Sequence, residues 1–78
     1  MPATMHKAES GGYIIQGIDS GARGEDHARY FRSKGYPVVV SGHFSPPLRV
    51  VIGGKDKPLA DGDARDYART HDLEFDGA

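Results

Sequence analysis

The chain contains no cysteine and no asparagine. Without cysteine there is no disulfide framework and no thiolate metal site, and the redox compartment leaves no mark on the sequence. Charge of one sign is also missing, since 10 basic side chains face 11 acidic ones for a net charge of −1. That balance removes the positive field on which non-specific nucleic-acid binding depends. No long apolar run is present. The opening stretch MPATMHKAESGG holds one lysine and lacks the hydrophobic segment of a signal peptide or membrane anchor. The four histidines, His6, His27, His43 and His71, lie far apart without the short spacings of a zinc site. They read as surface or packing residues, and neither a metal nor a cofactor is expected.

What remains is the composition of an ordinary globular domain, with 37% hydrophobic and 27% charged residues over 78 positions. A chain of this length makes one small domain that buries about 60% of its potential surface. Residues 1–11 read as a disordered lead-in, 12–76 as a single folded unit and 77–78 as a tail. Within the unit, YIIQGID (Tyr13 to Asp19) is β-branched, apolar and bounded by glycines, which predicts a strand. GEDHARYFRSKG carries acids near its start, bases toward its end and Gly35 at the position of a left-handed helix cap. YPVVVS and LRVVIGG are further strands. The GHFSPP segment between them is a loop, because two prolines cannot donate to a ladder. Ala60, Ala64, Tyr67, Ala68 and His71 share one face of a second helix, which begins near Pro58 or with Asp61 as its N-cap. DLEF is an edge strand with Leu73 and Phe75 on one face.

The order strand, helix, strand, strand, helix, strand predicts an α+β, ferredoxin-like βαββαβ fold. Its sheet would be four-stranded and antiparallel, with both helices on one face. The other sheet face is left open. Alternation along LRVVIGG sends Leu48, Val50 and Ile52 toward the helices and Arg49, Val51 and Gly53 toward that open face.

Three stretches resemble the SPOR domain, a peptidoglycan-binding module with the same element order, and the likeness covers most of residues 13–76. YIIQG is similar to the family's first strand, with Gln16 at its glutamine. FRSKGYPVVV resembles its Gly-Tyr helix exit, and RVVIGG its Arg-Val-x-Val-Gly-Pro third strand. Gly17, His27 and Gly54 depart from the family pattern, standing where an aliphatic residue, a leucine and a proline are usual. The resemblance implies a non-catalytic module that binds peptidoglycan glycan strands across the open face through Tyr13, Gln16, Arg49, Val51 and Gly53. Arginine and glutamine would supply forked donors and amide groups to sugar hydroxyls. It also implies a cell-envelope or periplasmic setting, whereas a chain complete as given would be cytoplasmic.

A weaker resemblance links IIQGIDSGAR to the phosphate-cradling loop of acylphosphatases. That family orients its attacking water with an asparagine, which this chain lacks, so Arg23 is retained only as a candidate anion contact. An RNA-recognition reading fails on the absence of aromatics from LRVVIGG. The alternative to glycan binding is a protein-interaction or inhibitor module, free-standing or homodimeric. It would use the open sheet and the 42–47 loop, with His43 and Phe44 as partner contacts.

Overall fold

The computed structural model describes residues 3–42 and 47–76. Seven elements follow in order: β1 (Thr4–Lys7), β2 (Tyr13–Ile18), α1 (Gly21–Ser33), β3 (Val38–Ser41), β4 (Leu48–Ile52), α2 (Asp61–Thr70) and β5 (Glu74–Asp76). The class is α+β, but the sheet has five strands in the order β3-β4-β2-β1-β5. Four neighbouring strands run antiparallel, whereas β1 and β5 pair in parallel. The expected four-stranded antiparallel sheet is therefore corrected to a mixed five-stranded one.

The difference lies in the segment expected to be a disordered lead-in. Thr4–Lys7 is a strand, turned back onto β2 by a tight connection in which the Ala8 amide donates to the Gly12 carbonyl at 2.8 Å. It slots between β2 and β5. Only one of its side chains, Met5, is apolar, and that side chain is fully buried. A strand with a single core position carries too little alternation to stand out in sequence.

The local chemistry of β2 is set by Gly17. The pairing with β4 shifts register between Gln16 and Ile18, and Gly17 sits in that bulge at φ +83°. A left-handed backbone there suits a residue without Cβ. The extra residue restores Ile18 to the helix side, where it is 3% exposed opposite Leu48. Gly17 thus keeps the following isoleucine in the core.

Helix α1 begins three residues earlier than the acidic run suggests. Ser20 is its N-cap and accepts from the Arg23 amide. At its other end the expected Gly35 cap is found at φ +91°. The Gly35 amide donates to the Arg32 carbonyl and the Tyr36 amide to the Phe31 carbonyl, the paired bonds of a Schellman motif. Tyr36 then packs its ring on Phe31. Helix α2 takes Ala60 as N-cap, with no side-chain cap bond. Asp61 is instead engaged in tertiary bonds.

The core lies between the sheet and the two helices. Met5, Tyr13, Ile15, Leu48, Val50 and Ile52 come from the strands, and Phe31, Leu59, Ala64, Tyr67 and Ala68 from the helical side. Replacing Met5 with alanine should cost about 2–5 kcal/mol in a urea denaturation experiment. Amide exchange in β5 should accelerate with it, because among the described residues β5 has no strand neighbour except β1.

Candidate functional site

Register and alternation together build the open sheet face. Pairing aligns Val39, Val51, Ile14, His6 and Asp76 in one row across all five strands. A second row reads Ser41, Arg49, Gln16, Thr4 and Glu74. The first is apolar over β3, β4 and β2, and Val39 at its edge is 62% exposed. The second is polar throughout, with Arg49 and Gln16 exposed and directly opposite each other. At the β1 and β5 end the rows run into a shallow depression of about 520 Å³ lined by Thr4, His6, Glu74, Phe75 and Asp76.

Of the five residues expected to bind ligand, Gln16, Arg49 and Val51 meet on this face. Tyr13 does not. It is fully buried on the helix side, its ring stacked 5.8 Å from Phe75. Its hydroxyl donates to the Asp61 carboxylate at 2.7 Å, and Lys7 donates to the same oxygen at 3.2 Å. Burial, then the bond to Asp61, pushes the Tyr13 hydroxyl up to about 12. The Tyr13 and Lys7 bonds hold the Asp61 carboxyl below the usual carboxylate range. Tyr13 is the first residue of β2, and the alternation that points Ile14 outward turns its ring inward.

Gly53 stands just outside the strand. It lies just past β4 at φ +76°, and its amide donates to the Pro37 carbonyl at 2.8 Å. It closes the end of the β3–β4 ladder and is half-buried there. His43 and Phe44, with most of the 42–47 loop, lie outside the described residues. Ile14, Val39, His6 and Thr4 were not anticipated on the face. Ile14 and Val39 follow from the same alternation that exposed Val51, whereas Thr4 and His6 needed the unseen strand β1.

The second concentration of functional side chains lies between the helices. The Tyr67 ring of α2 packs at a tilt against Phe31 at 4.5 Å, Tyr30 at 4.9 Å and His71 at 4.0 Å. His27 of α1 hydrogen-bonds through Nδ1 to the Tyr67 hydroxyl. Burial, His71 and Arg23 lower the His27 pKa while Asp26 opposes them, so the ring stays neutral at neutral pH. Burial raises the Tyr67 hydroxyl, which stays protonated. His27 on α1 is thus a half-buried partner of an α2 tyrosine. Among the described residues no serine hydroxyl hydrogen-bonds a histidine, and no three His, Asp or Glu side chains are grouped to hold a metal ion.

Arg23 lies exposed in the first turn of α1, where its guanidinium makes no ion pair among the described residues. No helix is long and apolar enough to cross a membrane among the described residues. No family model, curated protein or solved structure matches the chain.

The lowered His27 pKa sets a pH dependence. Below the ordinary value of 6.5 the unfolded chain binds a proton that the folded one resists, so stability falls as pH drops through that value. Urea midpoints should decline between about pH 7.5 and about pH 5. His27→Gln should flatten that decline and leave the separate loss caused by protonating Asp61 at lower pH.

Proposed function

We propose that the chain is a non-catalytic, SPOR-like binding module that takes peptidoglycan glycan strands across the open sheet face. In this reading the architecture is a ferredoxin-like βαββαβ unit with an additional N-terminal strand interposed between its first and last strands. The observation that carries the reading is the registered pair of rows, one apolar and one hydrogen-bonding, running side by side across the sheet. At a strand spacing of about 4.8 Å, five strands give each row a length of roughly 19 Å. An extended saccharide laid across the strands would rest the C–H faces of its rings on Val39, Val51 and Ile14. Its hydroxyls would meet Arg49 and Gln16, the former a forked donor and the latter both donor and acceptor.

The test is co-sedimentation with peptidoglycan sacculi before and after an amidase has removed the stem peptides. Binding should rise after amidase treatment. Arg49→Ala should weaken it about tenfold, the equivalent of one lost charge-assisted hydrogen bond of about 1.5 kcal/mol. Gln16→Ala should weaken it less, and Tyr13→Phe, altered on the far side of the sheet, should leave it unchanged. Absence of binding to either form overturns the reading.

One observation favours the protein-interaction alternative. Val39 is highly exposed on an edge strand and continuous with Val51 and Ile14, an apolar stripe that a second protein surface could cover. That reading expects self-association or partner capture that Val39→Lys abolishes, with no affinity for wall material.

A further inference from the structure

The face of the molecule opposite the proposed glycan surface carries a cavity that the glycan reading does not use. It has a volume of about 890 Å³ and opens between α1, the end of β2 and the C-terminal end of α2. That size falls within the range of about 300–1,000 Å³ typical of small-molecule sites. Ile18 and Leu73 contribute apolar lining, and the rings of Tyr30 and Tyr67 line it as well. Tyr30 is 42% exposed.

Four basic groups line the same cavity: Arg23, His27 and Arg29 from α1 and His71 just past the end of α2. The His27 and His71 rings stand 5.8 Å apart, edge to face. Neighbouring charges of opposite sign do not all satisfy them. Arg29 and Asp26 neutralise each other at 3.2 Å, which leaves the Arg23 guanidinium without an ion pair among the described residues. Two exposed carboxylates, Asp19 and Asp72, also line the cleft and make no ion pair among the described residues. A doubly charged anion would be repelled by them, whereas a singly charged one with its acid directed at the basic groups would not.

We propose that the interhelical cleft binds a small aromatic monoanion, a flat ring bearing one carboxylate, with Arg23, His27 and His71 facing the carboxylate and Tyr30 and Tyr67 lining the seat of the ring. A guanidinium meets a planar carboxylate through two parallel N–H donors. Aromatic side chains prefer offset or edge contact with a second ring. An anion beside His27 also offsets the opposition that His71 and Arg23 offer to its protonation. Binding therefore couples to proton uptake. The charged and titratable groups around His27 are Arg23, Asp26, Arg29 and Tyr30 from α1, Tyr67 and His71 from α2 and its end, and Asp19 and Asp72 at the mouth. Of these, His71 and Arg23 oppose its protonation and Asp26 favours it.

The probe is benzoate, titrated into the ¹⁵N-labelled protein near pH 6 and followed through amide and imidazole resonances. Saturable shifts should centre on Arg23, His27, Tyr30 and His71, and binding should tighten as pH falls from about 7.5 to about 5.5. Arg23→Gln, an exposed position whose loss leaves the core intact, should weaken binding about tenfold. Lys55→Ala, on the connection after β4, should not change it. Cyclohexanecarboxylate and inorganic phosphate should both bind more weakly than benzoate. Failure to saturate at tens of millimolar overturns the proposal, as does unchanged affinity in Arg23→Gln. Phosphate binding as well as benzoate also overturns it, by reducing the cleft to an unspecific anion patch. Wall binding plays no part in these outcomes, so this site and the open-face site fail or stand separately.

Discussion

The sheet hangs on a four-residue strand that has one apolar side chain to offer. Among the described residues β1 supplies the partner for β2 on one side and the only partner for β5 on the other, so the return of the chain after α2 has no place in the sheet without it. Met5 anchors it from beneath, and Lys7 joins Tyr13 on the Asp61 carboxylate at the start of α2. That shared oxygen ties two strands and a helix at one point. The exposed ion pair from Lys7 adds little by itself. The buried ring of Tyr13, stacked on Phe75, carries the packing.

Two surfaces of different character follow from this arrangement. Because both helices lie on one side, period-two alternation delivers every second strand residue to the opposite side, and the ladder register arranges those residues in straight rows. On the helical side the elements do not close completely. Aromatic rings and two histidines bridge α1 and α2, and a cleft remains beside them. The open face is broad, shallow and suited to an extended ligand, whereas the cleft is concave and suited to a small one.

Much of this was legible in the sequence wherever the pattern repeated. The valine-rich β3 and β4, the Gly35 cap and the buried face of α2 at Ala64, Tyr67 and Ala68 all rest on periodic or chemically distinctive signals. The outward direction of Arg49 and Val51 came from alternation alone, and Gln16 was added by the family resemblance. Where a signal was one residue long it was lost. Met5 could not announce β1, and Tyr13 at a strand end could be placed on either face until pairing fixed it. Gly17 looked like a gap in the core pattern because a bulge cannot be distinguished from a mismatch without knowing the partner strand. His27 and His71, forty-odd positions apart in the chain, meet only through the packing of two helices.

The placement of β1 also shapes how the molecule must assemble. Thr4 pairs with Glu74, so nearly the whole described chain separates two adjacent strands. Contacts of such separation are entropically late, and they slow folding relative to local hairpins. During synthesis the β1–β2 hairpin can form early, but one edge of β1 stays unpaired until the last strand has emerged. Until then its backbone is an open template beside an apolar surface, the condition in which a nascent chain is most exposed to mispairing with another copy of itself.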